Sequence, residues 1–448
     1  MKAIPVITKI TTHNKSLIVI PKKIMEHYQI INNEILQVQF GTKKVEAQVK
    51  SGKKEEVYLT SSLNEQLLLP FSGNGYLKYT DKTFNIGPLI GILTTGFTGN
   101  LQKPFGERSN FFQFLLTEGL EKTAYYFIFT PSLINWEEKT INGLFWQKEG
   151  WHLLTVPIPE VVYNRIPNRT IEGSEEVIRT KLFLKSIGSR LFNPGFFNKW
   201  DIFQLLKNYP QVAVYLPETI LAPTAADVNE LLKEHDLLYL KPIHGSLGLG
   251  IYRIFKQNNN IIIENRLNER LIKRSFKQLT NTTFNKIFHN LNLQKYILQQ
   301  GIKLAKYNNN PYDFRIHLHK NKKNKWNVVA IAGKVAGSDA VTTHIRTGGN
   351  IVPTETLLIQ SFGEKGNLII NDLELAAVQI AEVVEYTIKE DVGELGLDVG
   401  VDEDQKIWLF EVNSKPGRSI FKHPNFKQAG KISAKQIIDY SIYLANLS

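Results

Sequence analysis

The spacing of apolar residues changes several times along this chain, and each change predicts a different kind of structure. Up to about residue 80 the apolar runs are short and alternate with polar positions. Segments 16–20, 35–40 and 44–49 read as strands, the last two half-buried because apolar residues fall on every second position. The simple reading is a small β-barrel-like domain, with Phe71-Ser-Gly-Asn-Gly75 as a turn in its later part. From Asn85 the alternation gives way to continuous apolar runs. Segment 86–93 reads as a buried strand followed by a loop, 110–122 as a helix and 125–129 as a second buried strand. Strand, helix, strand predicts an open α/β domain, which continues to about Asn208 and includes the rigid extended segment 157–165.

A third region follows with a helix over 225–234, a strand over 237–241, a glycine-rich loop over 244–250 and strands over 251–255 and 260–265. Segment 268–290 reads as one long amphipathic helix. From Tyr296 strands and helices alternate, ending in a helix near 433–447. The expected class is multidomain α/β with α+β character: a β domain over 1–82, an open α/β domain over 83–208, and two further units over 209–298 and 299–448. No internal repeat and no low-complexity segment stands out.

Composition narrows the chemistry. The chain has 448 residues, which suggests about three domains. Its apolar runs all fall short of the roughly 20 residues a membrane-spanning helix needs. The amino-terminal segment has polar residues every few positions, so a signal peptide is not expected and synthesis in the cytoplasm is. Cysteine is absent, which removes disulfides, thiolate nucleophiles and Cys-ligated zinc. Any metal must be held by oxygen or imidazole. The net charge of +12 is spread along the chain, and the run 320–325 reads as a polar turn. A nucleic-acid partner would rest on that charge alone and is not expected.

The strongest chemical pattern is Glu394-Leu-Gly-Leu-Asp-Val-Gly-Val-Asp402, a polar turn, and Ile407-Trp-Leu-Phe-Glu-Val-Asn413. These read as a hairpin. Pairing Asp402 with Ile407 sets Asp398 opposite Glu411, and the strand period of two puts Asn413 beside Glu411. Val399, Val401, Trp408, Phe410 and Val412 then fill the other face. Three side-chain oxygens on one face suit Mg²⁺. Acidic decoration of a surface hairpin accounts for Asp402, Glu403 and Asp404, but poorly for Glu411, which lies between Phe410 and Val412.

Lys241 ends an apolar strand and enters a loop with Gly245, Gly248 and Gly250, whose backbone N–H groups can approach phosphate. The spacing fits neither a P-loop nor a dinucleotide fingerprint. In Tyr312-Asp-Phe-Arg-Ile-His-Leu-His319, the residues Phe314, Ile316 and Leu318 face a core, while Asp313, Arg315, His317 and His319 face away. Two readings stay open there: an Asp313–Arg315 salt bridge on a sheet surface, or an arginine aimed at phosphate. A metal site on the two histidines is not favoured, and His244 and His344 read as polar neighbours of a site.

The order of these pieces resembles the ATP-grasp superfamily. Tyr239-Leu-Lys-Pro242, Asp313-Phe-Arg315, Gly348-Gly349 and Glu411-Val-Asn-Ser-Lys-Pro-Gly-Arg418 look like the YheC/YheD family of endospore coat-associated proteins, as do Asn164-Arg-Ile-Pro-Asn-Arg169 and Asn198-Lys-Trp200. The resemblance runs from about Gly87 to the end and implies an ATP-grasp fold behind the α/β domain. It implies ATP with one or two Mg²⁺, or Mn²⁺ in their place. Lys241 would contact the phosphates under a lid of Gly245, Ser246, Leu247, Gly248 and Gly250. Gln299, Gln300 and Ile302 would lie under adenine. Asp398, Glu411 and Asn413 would hold metal, Arg315 and Lys334 would act on the reacting groups, and Lys415, Arg418 and Arg346 would meet substrate. Related ligases often place arginines and an asparagine where this chain has Lys334, Thr342 and His344. The implied activity is a ligase that activates a carboxylate as an acyl phosphate for an amine acceptor, small molecule or peptide, with spore coat proteins as further partners. A phosphotransferase and a non-catalytic coat scaffold are the alternatives.

Overall fold

The structure is a computed structural model that describes residues 3–120, 122–148, 150–244, 250–267, 270–337 and 350–446. Four sheets follow one another along the chain. The first is a closed barrel of β1 (Ile4–Thr11), β2 (Leu17–Pro21), β3 (Ile35–Phe40), β4 (Lys43–Gly52), β5 (Val57–Thr60), β6 (Gly73–Thr80) and β7 (Thr83–Gly87), in the order β1-β5-β2-β4-β3-β7-β6. Closure leaves no exposed sheet edge. The barrel contains a structural repeat. A strand leads into α1 (Lys22–Tyr28) or α2 (Ser61–Leu67), each ends on a left-handed residue (Gln29, φ 57°, and Leu68, φ 59°), and each is followed by two strands. The two copies share little beyond buried apolar positions (Ile24 and Leu63, Tyr28 and Leu67, Ile30 and Leu69), too few to be visible as a sequence repeat.

The second sheet contains β8 (Leu89–Leu93), β9 (Tyr125–Phe129), β10 (Ile134–Asn135), β11 (Thr140–Gln147), β12 (Gly150–Pro157), β13 (Val161–Asn164) and β14 (Arg190–Phe192). Its parallel part runs β9-β8-β13-β14. Every residue of β8, β9 and β13 is buried, as expected of parallel strands covered on both faces. One face shares a core with the barrel, where Phe40 and Phe71 pack on Tyr125. The other is covered by α3 (Ser109–Leu120) and by the chain's last helix. Helices α4 (Arg169–Glu172), α5 (Glu175–Ser186), α6 (Lys199–Lys207) and α7 (Pro210–Ala213) then lead out of this unit.

The third sheet is antiparallel: β15 (Thr219–Leu221), β16 (Leu237–Pro242), β17 (Tyr252–Gln257), β18 (Asn260–Leu267), β19 (Arg270–Phe276) and β20 (Tyr296–Gln300), in the order β15-β20-β16-β17-β18-β19. Helices α8 (Ala225–Glu234) and α9 (Asn281–Phe288) cover it. The long helix expected over 268–290 is therefore not formed. Pairing of β19 with β18 recruits 270–276 into the sheet, and the helix starts only where Thr280 caps the N–H of Thr283. Backbone pairing with a neighbouring strand overrode an apolar spacing that mimics a helix.

The fourth sheet joins β21 (Lys306–Tyr307), β22 (Asn310–Lys320), β23 (Trp326–Val335), β24 (Asn350–Pro353), β25 (Glu394–Val401) and β26 (Ile407–Asn413), with the order β24-β23-β22-β25-β26. Helices α10 (Thr354–Phe362) and α11 (Gly366–Ile388) bury one face, together with α6 and α7. Helix α12 (Lys427–Leu444) starts earlier than the sequence suggested and returns to the second sheet, where Ile437 and Ile438 join Ile90, Ile92 and Phe112. Among the described residues no helix is long and apolar enough to cross a membrane.

Candidate active site

The site is built on the β25–β26 hairpin. Asp398 pairs with Glu411 and Gly396 with Asn413, so the three candidate metal ligands share one face. Near the turn the register differs from expectation, because Val401 rather than Asp402 pairs with Ile407. A bulge restores it: Val399 pairs with Leu409 and Asp398 with Glu411, leaving Phe410 as the extra residue. The bulge also corrects the predicted faces. Ile407, Leu409 and Val412 join Val399 and Val401 in the core, whereas Phe410 lies near Lys241. A strict period of two cannot anticipate the slip.

Strands β22 and β23 bring the cations. As predicted, Phe314, Ile316 and Leu318 are buried in the core. On the opposite face the Arg315 Nη2 lies 3.0 Å from Asp398 Oδ2, and Lys334 Nζ lies 2.9 Å from both Asp398 Oδ1 and Asp313 Oδ1. Asn413 Nδ2 donates to Asp398 Oδ2 at 3.2 Å. Two of these ion pairs join neighbouring strands, Arg315 with Asp398 and Lys334 with Asp313, while Lys334 also spans β22 to reach Asp398. Burial opposes the charge on Lys334, but Asp313 and Asp398 overcome it and hold its pKa well above the ordinary lysine value. Arg315 Nη1 is buried without a hydrogen-bond partner, an arrangement that suits an added anion.

Lys241 projects from β16 and donates to Gln299 Oε1 at 2.7 Å, while Gln299 Nε2 donates to Thr219 Oγ1 at 3.0 Å. Among the described residues, no carboxylate lies within salt-bridge distance of Lys241. Burial, then the nearby charge of Lys199, pushes its pKa down to about 8 against the pull of Glu411, Asp313 and Asp398. Sequence reasoning assigned no role to Lys199. Asn198 caps α6, fixing Lys199 at the first turn, and its Nζ reaches Glu411 Oε1 at 3.1 Å. The only signal was its place in the Asn198-Lys-Trp200 resemblance. The site thus assembles Lys199, Lys241, Arg315 and Lys334 against Asp313, Asp398 and Glu411, an excess of one positive charge.

Below Lys241 the chain leaves β20. Gln300 Oε1 accepts from the N–H of Glu218 at 3.2 Å, Gly301 donates to the carbonyl of Leu237 at 2.7 Å, and Ile302 follows, half-buried. This segment links the third and fourth sheets. Gly250 adopts φ +71° beside the Tyr296 hydroxyl. Gly245, Ser246, Leu247, Gly248, Arg346, Thr342, His344 and the Gly348-Gly349 pair lie outside the described residues.

The structure places Lys415 and Arg418 in buried ion pairs. Lys415 contacts Glu172, which also receives Lys181 at 2.6 Å. Burial, only partly offset by Glu172, pushes the Lys415 pKa down to about 7. Arg418 binds Glu394 at 2.8 Å and the Ser433 hydroxyl at 2.6 Å. Glu394 is fully buried and also accepts from Tyr163 at 2.5 Å, with Arg165 at 3.4 Å. Burial raises its pKa, but Arg165, His319 and Arg418 outweigh that and hold it below the usual carboxylate value. His317, His319 and Glu394 lie close enough to share a metal ion. Two guanidiniums already on Glu394 would repel a dication, and the pKa of His319, pushed down to about 4 by burial, reflects the same surroundings.

The donor set fits a magnesium nucleotide: oxygen ligands on one face and, among the described residues, a lysine without a carboxylate partner and a buried guanidinium N–H without an acceptor. The class agrees with that chemistry. A family model described as YheC/D like ATP-grasp matches residues 188–444, and the chain belongs to this family. It is 37% identical over 415 residues to the Endospore coat-associated protein YheD of Bacillus subtilis (strain 168), covering 92% of this chain and 91% of that protein. It is 25% identical over 273 residues to the Endospore coat-associated protein YheC of the same strain, covering 60% of this chain and 73% of that protein. Among solved structures, D-alanyl-alanine synthetase A from Vibrio cholerae O1 biovar eltor str. N16961 matches with a TM-score of 0.46 at 12% identity, over 81% of this chain and 98% of that one.

Proposed function

We propose that this chain is an ATP-dependent carboxylate–amine ligase. The observation that carries the reading is the row of cations across β16, β22, β23 and α6 facing Asp398 and Glu411, with Arg315 Nη1 left without an acceptor. Asp398, Glu411 and Asn413 would hold Mg²⁺, or Mn²⁺ in its place, which when bound neutralises phosphate oxygens. Lys241 and Lys199 would offset phosphate charge from the third sheet and from α6. Lys334 holds Asp313 and Asp398 in place, so both its charge and its position serve the site. Arg315 would present its unused N–H to the reacting carboxylate and then to the acyl phosphate. Gln299, Gln300 and Ile302 would flank the adenine. Lid residues Gly245, Ser246, Leu247, Gly248 and Gly250 would exclude water from the acyl phosphate until an amine attacks. Arg346, Lys415 and Arg418 are assigned to the substrate side. The division into units at 1–82, 83–208, 209–298 and 299–448 belongs to the same proposal, as do action on a spore coat or cell-surface substrate and synthesis in the cytoplasm.

One observation favours a second reading, a coat scaffold without turnover: each carboxylate of the metal set already has a cation, Lys199 on Glu411 and Arg315 with Lys334 on Asp398. Calorimetry with Mg-ATP separates the two, comparing the wild type with Glu411→Ala and Asp398→Ala. The ligase reading expects magnesium-dependent binding in the wild type, weakened more than about tenfold in both variants. No binding in the wild type would leave the scaffold. ADP and phosphate release that needs both an acid and an amine distinguishes a ligase from a phosphotransferase.

A further inference from the structure

The second sheet holds a feature the nucleotide site does not use. Its parallel strands run β9-β8-β13, and β8 precedes both neighbours in the chain, so the connections leave β8 in opposite directions. A crevice forms at the carboxyl ends of strands around such a switch, where ligands commonly bind. Here those ends carry arginine. Arg165 directly follows β13, and its N–H binds the carbonyl of Leu93 at the end of β8. Arg108 donates to Thr94 Oγ1 at 2.8 Å and to the carbonyl of Thr95 at 2.5 Å, and Thr94 Oγ1 in turn donates to the carbonyl of Arg165 at 3.2 Å. Arg418 reaches the same place from beyond β26. The guanidiniums of Arg165 and Arg418 lie 5.7 Å and 4.9 Å from the ring of Phe111, in the first turn of α3.

Three guanidiniums gather here, and among the described residues Glu394 is the one carboxylate within salt-bridge distance of any of them. Among the described residues, Arg108 meets neutral oxygens and the ring of Phe112, 5.9 Å away, and no carboxylate. Arg165 and Arg418 retain 16% and 12% side-chain exposure, so they are not sealed off, whereas Glu394 is fully buried beneath them. The amino terminus of α3 adds partial positive charge on the same side. Glu394, beneath the arginines, pairs with His319, on the same strand that carries Arg315. His317 lies two positions along β22 from Arg315, is fully buried, and has neither ring nitrogen hydrogen-bonded. Its pKa is pushed well down first by burial and then by the charges of Arg315, Arg418, His319 and Arg165.

We propose that the acid substrate is a polycarboxylate, whose reacting carboxylate meets Arg315 while a second carboxylate binds Arg108 and Arg165 at the ends of β8 and β13. The inference rests on the ligase reading for the reacting carboxylate, whereas the arginine crevice stands on its own geometry. An uncharged tail would leave Arg108 without an anionic partner, held by the Thr94 hydroxyl and the Thr95 carbonyl.

The test is calorimetry of the full chain with tricarballylate and a triglutamate peptide, against butyrate and trialanine, each with and without Mg-ADP. The polycarboxylates should bind at least about tenfold more tightly than their uncharged-tail counterparts. Arg108→Gln should bring that ratio close to one, and Arg108→Lys should keep most of it. A Mg-ADP titration of each variant checks that the fold and nucleotide site are intact. Equal affinity for both kinds of acid, or a ratio that survives Arg108→Gln, overturns the proposal. A wild type that binds Mg-ADP but none of the acids overturns it too, and leaves the ligase reading standing. A wild type that binds triglutamate but not Mg-ADP supports the crevice and removes the ligase reading.

Discussion

Lys241 offers a test of the nucleotide site that needs no knowledge of the substrate. In the free protein its pKa is pushed down to about 8, and it is a phosphate partner only when charged. With that value it is about nine-tenths protonated at pH 7 and about one-tenth at pH 9. Phosphate oxygens around the ammonium would restore the pKa toward its ordinary 10.5, so binding takes up a proton in that window. Affinity for Mg-ADP should therefore fall about tenfold from pH 7 to pH 9, about 1.4 kcal/mol. Stability of the free protein responds with the opposite sign. The unfolded chain keeps this proton up to about pH 10.5 while the folded chain releases it near 8, so the unfolded state binds more protons between these values. The contribution to stability rises with pH across that window by roughly 3 kcal/mol at most. Calorimetry in two buffers of different ionisation enthalpy measures both the affinity and the proton uptake. Lys241→Met should bind weakly at every pH and show no uptake. A flat affinity from pH 7 to 9 in the wild type, or an unchanged slope in Lys241→Met, would refute the reasoning.

Two further predictions concern the framework of the site. Glu394→Gln leaves the half-buried guanidiniums of Arg165 and Arg418 without their carboxylate and should destabilise by about 3 kcal/mol, read as an earlier urea midpoint. An unchanged midpoint would mean that these arginines are satisfied by something other than Glu394. In Gly333→Ala the added Cβ would lie 2.1 Å from Leu357 Cδ1 and 3.0 Å from the Val352 carbonyl, so the buried Leu357 side chain must repack against β23, costing about 1–3 kcal/mol in the same assay. Because Lys334 is the next residue, that variant should also weaken Mg-ADP binding.

The sequence by itself determined the pieces whose signals are local. Continuous apolar runs marked β8 and β9, the alternation in 312–319 set Phe314, Ile316 and Leu318 inward, and the hairpin pattern brought Asp398 opposite Glu411. Each follows from the strand period and from burial, which act over a few residues. Tertiary structure decided what depends on partners far along the chain. Segment 270–276 became a strand because β18 offered an edge, against its helix-like spacing. Phe410 left the core face because one extra residue was accommodated in β26. Lys199 and Arg165 stood out in the sequence only through the motifs that resemble the family, which do not say what either would meet. Lys199 met Glu411 when α6 packed beside β26, and Arg165 met Glu394 when the end of β13 came to lie beside β25, each pair distant in sequence. Charge pairing across that distance is set by which elements end up adjacent, so Asp313 met Lys334 and Arg315 met Asp398 on neighbouring strands.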